Sequence, residues 1–208
     1  MAQKATSEAV PRGRPRSFDT DEVLGRVRDI FWRHGFAGTS MDQLSAATGL
    51  HKPSLYGAFG DKRKLFLAVL NNYLAELGAA FAEAFARPDL FESLEAMIEV
   101  TIDKFTQSDS GSGCFMMSTA LPEAAADPEL SAVVRGALES LERAFLRRFQ
   151  KAIEAGQIPA DADAQALAMI MGGGHSEISA RARAGYTREE LRETGRRTLA
   201  LIRKLTAA

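Results

Sequence analysis

Three histidines, His34, His51 and His175, and one cysteine, Cys114, are the residues best suited to metal ligation, nucleophilic attack or proton transfer. They lie far apart. No pair has metal-ligand spacing, and no nucleophile stands in a legible pattern with a base. A glycine-rich phosphate loop following a strand is also missing. Enzymatic activity is therefore not expected, and neither a metal nor a cofactor is implied. The polar residues that do cluster are of another kind. Lys52, Ser54 and Tyr56 sit together beside Pro53, and Arg12, Arg14 and Arg16 alternate with Gly13 and Pro15. Lysine can reach a phosphate or a guanine edge, and serine and tyrosine hydroxyls bind phosphate oxygens. Arginines on a proline-stiffened arm can enter a narrow minor groove; a solubilising tail would look the same.

The elements that must hold these residues are helices. Asp19 or Thr20 can cap a helix whose Leu24, Val27, Phe31 and His34 step by three and four, with Gly35 ending it. Ser40 and Gln43 form a capping box for a short helix through Met41, Leu44 and Ala47. Thr48-Gly49-Leu50 is a turn, a second short helix covers roughly 51–58, and Asp61 caps a long one through Leu65, Val69, Tyr73, Leu77 and Phe81. Further helices are expected over about 90–106 and over Cys114 to Ala120, the latter ending near Pro122. Asp127-Pro128 starts another, whose stripe is Leu130, Val134, Leu138, Leu141, Phe145 and Phe149. Asp161 caps the next, to about Ala184, and Thr187 with Glu190 boxes the last. No segment alternates with period two. The fold class is all-α with about nine helices.

Composition agrees with a globular chain: 46% hydrophobic and 25% charged residues. No run of about 18 apolar residues appears, so no membrane span is expected. The N-terminus lacks the apolar centre of a secretory signal and Cys114 is single, so a cytoplasmic location is expected. The net charge of −1 conceals an asymmetry: residues 1–66 carry 11 Lys/Arg against 7 Asp/Glu, and the remainder 15 against 20. A basic front on an acidic body suits a chain that sets only its N-terminal part against a polyanion.

Two short helices around a glycine turn fit a helix-turn-helix, although two packing helices of any bundle would also. The particular residues narrow this. His34-Gly35-Phe36, Thr39-Ser40-Met41, Ala46-Ala47-Thr48-Gly49, Lys52, Ser54-Leu55-Tyr56, Phe59 and Lys62-Arg63-Lys64-Leu65-Phe66 resemble the DNA-binding region of TetR-family regulators over roughly residues 18–70. The resemblance implies a homodimer, paired through its last two helices, that binds double-stranded DNA at a palindromic operator and releases it when a small-molecule inducer binds. It divides the chain into a flexible basic arm (1–17), a helix-turn-helix domain (18–66) and a ligand-sensing, dimerising domain (67–208). Thr39 and Ser40 correspond to a phosphate contact, Lys52, Pro53, Ser54 and Tyr56 to the DNA-reading helix, and Lys62 to a phosphate clamp. His51 stands where a better-capping serine is usual, and Gly57 removes a groove-facing side chain. A helical ligand-binding or interaction module without DNA binding is the alternative.

In the second half, a pocket is expected among the middle helices, lined from Phe81, Phe85, Met97, Thr101, Phe105, Cys114, Phe115, Met116, Met117, Leu121, Phe145 and His175. Such residues suit a largely apolar ligand, and ordinary core packing would use the same types. Gly172-Gly173-Gly174 within a helix implies close packing or a kink, since each glycine costs about 1 kcal/mol relative to alanine. Cys114 opens a helix, where the dipole lowers a thiol pKa, and its Gly-Cys-hydrophobic step resembles electrophile- or oxidant-responsive members of the family. A lone cysteine is also a common small core hydrophobe.

Overall fold

A computed structural model describes residues 18–107 and 113–207. The arm, including Arg14 and Arg16, lies outside the described residues. Among the described residues there are nine α-helices, one π-helical turn and no strand. They are α1 (Thr20–His34), α2 (Met41–Thr48), α3 (Lys52–Phe59), α4 (Lys62–Phe85), α5 (Leu90–Thr106), the π-turn (Met116–Ala120), α6 (Leu121–Ala124), α7 (Pro128–Glu154), α8 (Ala164–Arg183) and α9 (Arg188–Leu205).

The caps explain most boundaries. Asp19 accepts from the amides of Asp21 and Glu22 to start α1, both capping boxes form, and Asp127 accepts from Glu129 and Leu130 to start α7. Two boundaries differ from expectation. The cap of α8 is Asp163, not Asp161, because Pro159–Ala162 closes a separate turn through the Ala162 amide and the Pro159 carbonyl. The segment after Cys114 does not stop near Pro122. Its backbone widens into a π-turn, in which the Leu121 amide donates to the Met116 carbonyl, and Pro122 then occupies the first turn of α6, where no amide hydrogen is required. On α1, His34 is exposed and Trp32 takes the buried place.

Helix α4 is long and apolar enough to cross a membrane by length and composition alone. Here it is the central core helix: Leu65, Phe66, Val69, Leu70, Tyr73, Leu77 and Phe81 are buried, and it packs on α1 on one side and α5 on the other. It runs unbroken through the expected boundary at residues 66 and 67. Phe31, Phe36 and Phe66 form one set of ring contacts, continued by Trp32, Tyr73 and Phe115. Edge-to-face pairs of this kind add about 0.5–1.5 kcal/mol each beyond area burial. A second tie crosses the same junction: Arg63, at the start of α4, makes a two-pronged ion pair with Asp127 and also reaches Glu129.

The glycines of α8 and α9 divide by function. A Cβ on Gly174 would stand 2.6 Å from Thr198, and one on Gly195 would stand 2.6 Å from Ile98 Cγ2. These two permit close contact of α8 with α9 and of α9 with α5. Gly172 and Gly173 meet nothing within 4 Å.

Gly195→Ala should therefore lower stability by about 1–3 kcal/mol, as overpacking against a stiff β-branched neighbour does. The same change at Gly25, interior to α1 with open space around it, should raise stability by about 0.5–1 kcal/mol. Urea titrations reading opposite signs would bear this out. A second test concerns Asp127, whose carboxyl is pulled down to about 2, chiefly by the Arg63 hydrogen bonds and then by the α7 amides. Its folded pKa lies below the unfolded one, so its contribution is present above the unfolded value of about 3.9 and lost as pH falls through the folded value. Asp127→Asn keeps the cap and removes the charge. Wild type should be the more stable at neutral pH, with the difference shrinking between about pH 4 and 2 in acid titrations.

Candidate DNA-binding surface and effector cleft

Helix α3 contributes one fully buried side chain, Leu55. Around it Pro53, Ser54 and Tyr56 are exposed, Lys52 is partly so, and Tyr56 keeps 48% of its surface. Gly49 turns the chain between α2 and α3 with φ 70° and ψ 6°, a left-handed conformation that glycine adopts without penalty. His51 holds the N-cap position but makes no side-chain capping bond, so the first amides of α3 are not satisfied by it. Gly57 presents bare backbone on the outward side, with open space where a Cβ would be. The Lys52 ammonium is 2.6 Å from Asp42 of α2. Both groups are well exposed, and such pairs are worth about 0–1 kcal/mol, so the lysine is easily exchanged to another anion.

Two expected phosphate ligands have other roles. Thr39 is buried, and its hydroxyl donates to the Gly35 carbonyl at 2.7 Å. It fastens the turn between α1 and α2 and is withdrawn from the surface. The Lys62 ammonium donates to the carbonyls of Phe36 and Thr39, both at 2.9 Å, and lies 4.4 Å from the centre of the Phe36 ring. This lysine ties α4 to the α1–α2 turn, with most of its hydrogen-bonding capacity spent there. Ser40 is exposed and caps α2, its hydroxyl oxygen accepting from the Gln43 amide. Sequence spacing cannot show that the carbonyls of residues 36 and 39 converge on Lys62; only the fold brings them together.

A cleft of about 730 Å³ opens between α4 and α7, floored by the π-turn and α8. Of the expected lining, Phe81, Phe85, Cys114, Met116, Met117 and His175 face it. Met97, Thr101, Phe105, Phe115 and Phe145 are fully buried elsewhere, and Leu121 is exposed away from the cleft. Thr101 and Phe105 stand behind His175: Thr101 Oγ1 is 3.2 Å from His175 Nδ1, and the Phe105 ring is 5.4 Å from the imidazole. The Thr101 hydroxyl also lies 2.9 Å from the Met97 carbonyl, so it links His175 to the backbone of α5. Burial pushes this imidazole down to about 4, so it is neutral at ordinary pH. The residues that sequence reasoning missed are Leu74, Leu77, Val133, Ala137 and Leu141, together with Arg147, Arg148 and Lys151. The exposure of Leu138, 41%, amid a buried stripe is where α7 turns from core to cleft.

A larger groove of about 1080 Å³ runs over α4, α5 and α9. Two ion pairs cross it, Glu99 with Arg192 and Glu95 with Arg203.

Cys114 does not behave as an activated thiol. It is 3% exposed, and desolvation raises its pKa despite hydrogen bonds from Tyr73 Oη and the amides of Met116 and Met117. The sulfur lies 3.5 Å from Tyr73 Oη. The helix-end effect expected from its position is outweighed by burial.

Residues 27–69 match the family described as bacterial regulatory proteins, tetR family, and residues 91–199 match the tetracyclin repressor-like C-terminal domain. The HTH-type transcriptional repressor ComR of Escherichia coli (strain K12) is 31% identical over 192 residues, covering 91% of each chain. The uncharacterised HTH-type transcriptional regulator YezE of Bacillus subtilis (strain 168) is 30% identical over 161 residues, 76% of this chain and 83% of that one. Among solved structures, a cysteine mutant of the TetR family transcriptional regulator CifR, complexed with 26bp double-strand operator DNA, superposes with a TM-score of 0.77. It is 32% identical, over 90% of this chain and 98% of that one. The exposed α3, the helical body behind it and these matches agree: the chain belongs to the TetR family, and it is a DNA-binding transcriptional regulator.

Proposed function

We propose that this protein represses transcription as a cytoplasmic homodimer seated on a palindromic operator, and that a small, largely apolar effector entering the α4–α7 cleft releases it. The observation that carries the DNA half is the outward set of Lys52, Ser54 and Tyr56 on a helix anchored from behind by Leu55. Lys52 and the two hydroxyl side chains contact phosphates and base edges, Pro53 sets the first turn of the helix, and Ser40 adds a hydroxyl and free amides at the start of α2. Arg14 and Arg16 are assigned to minor-groove contact on residue type and sequence position alone.

The second copy docks on the outer sides of α8 and α9. Met169, Leu201 and Leu205 are exposed there, and Gly173 offers a surface with no side chain to hold the partner away. Large exposed apolar side chains beside small residues suit a helix-on-helix contact.

Release follows from connectivity. Met116 and Met117 face the cleft, and Phe115, next in the chain, packs on Trp32 of α1 and on Phe66 and Tyr73 of α4. An occupant that displaces the π-turn therefore moves the base of the DNA-binding helices. Arg63 and Asp127 transmit movement of α7 to the same end of α4. A ligand shifts this balance only by its differential affinity for the two arrangements.

Gel-shift assays against the DNA flanking the protein's own gene test the first half. Lys52→Ala with Tyr56→Phe should weaken binding by about 1–3 kcal/mol for each base-edge hydrogen bond removed. Undiminished binding by the double variant would refute the assigned surface, and no binding by wild type would favour a ligand-binding module without DNA recognition. For the assembly, Leu201→Asp with Met169→Asp should sediment as a monomer and lose operator affinity together. A variant that stays dimeric would move the interface elsewhere.

A further inference from the structure

The walls of the cleft are uneven in charge. Leu74, Leu77, Phe81 and Phe85 of α4 face Val133 and Leu141 of α7 across an apolar body. At one end, Arg147, Arg148 and Lys151 line it on successive turns of α7, and among the described residues no aspartate or glutamate does. None of the three cations has an ion-pair partner among the described residues, whereas along α9 Arg188, Arg192, Arg196, Arg197 and Arg203 each have one.

Arg148 is the informative one. It is 4% exposed, and its guanidinium is fixed by Nε donating to Ser93 Oγ at 2.7 Å and Nη2 donating to the Pro88 carbonyl at 3.0 Å. Its Nη1 is buried with no hydrogen-bond partner. A buried guanidinium with one unused donor costs free energy unless an acceptor meets it, and Asp89 supports it only from a distance. Arg147 and Lys151 are exposed and raise the local concentration of anions at that end. His175, on the cleft floor against Phe81, is neutral and offers no second charge.

From this arrangement we infer that the effector is a monocarboxylate with an apolar alkyl or arylalkyl body, its carboxylate placed at the Arg148 end between Arg147 and Lys151 and its body lying between α4 and α7. With Nε and Nη2 already committed to Ser93 and Pro88, Nη1 is the one donor left for a single charge-assisted hydrogen bond to the carboxylate, and Arg147 and Lys151 add their charge beside it. The inference rests on the cleft being the effector site, and the test keeps the two claims apart.

Wild-type protein is titrated calorimetrically with decanoate and hydrocinnamate, and with their neutral counterparts decanol and hydrocinnamyl alcohol. At least one acid should bind more tightly than its alcohol by roughly tenfold or more, the scale of one charge-assisted hydrogen bond. Arg147→Gln with Lys151→Gln, both at exposed positions, should erase most of that preference and leave alcohol binding unchanged. Arg148→Met should do the same if it folds; the exposed pair carries the test if it does not. Gly136→Leu, which puts a side chain into open space in the cleft wall, should abolish binding of acid and alcohol alike. Equal binding of acid and alcohol, both abolished in Gly136→Leu, would overturn the carboxylate inference and keep the cleft as the site. Binding untouched by Gly136→Leu, or no binding of any of the four compounds, would overturn the cleft reading and the inference with it. Tighter binding of decyl phosphate than of decanoate would overturn the choice of carboxylate.

Discussion

A helix of eight residues cannot keep its own orientation in water, since isolated helices shorter than about 12–15 residues are marginal even in favourable sequences. Helix α3 buries only Leu55 and lacks a side-chain N-cap. Its direction is borrowed from its neighbours. The Phe31–Phe36–Phe66 contacts fix α1 against α4, Lys62 fixes the α1–α2 turn to the start of α4, and Phe59 at the end of α3 meets Phe18 with ring centres 6.2 Å apart. The presentation of Lys52, Ser54 and Tyr56 thus depends on aromatic packing several turns away. That dependence is the route by which the proposed effector would reach the surface from the body.

Much of this was legible in the sequence, because capping is local chemistry. Ser40 with Gln43, Asp61, Asp127 before Pro128, and Thr187 with Glu190 each announce a helix start within a few residues, and each is found at one. The failures are non-local. Asp161 and Asp163 are equally good caps, and the choice was made by a turn that consumed the first. Thr39 and Lys62 carry the right groups for phosphate but meet carbonyls of their own chain. Half the expected pocket residues were the right type on the wrong side of a helix: Phe115 serves the aromatic junction and Phe145 packs on Phe85. The cations of α7 are hidden from sequence reasoning because a charged residue near a helix end reads as solvated surface until the opposite wall is known.

Burial decides the chemistry of the cleft floor. At Cys114 it outweighs the helix-end field and keeps the thiol protonated; at His175 it keeps the imidazole neutral. The same low-polarity surroundings that quiet these two groups strengthen any charge that stays ionised nearby, which is why an unmatched guanidinium on one wall carries more meaning than several on the surface.

The ion pair of Lys52 with Asp42 has a thermodynamic consequence of its own. When the ammonium swings to a phosphate, as proposed, the pair is broken and the Asp42 carboxylate is left facing the duplex, which offsets part of the new attraction. A lone surface carboxylate does not condense a cation as the duplex does, so the cation released from the DNA is not replaced. This lysine then keeps the ionic-strength sensitivity of a phosphate contact while adding less net affinity than a free cation would.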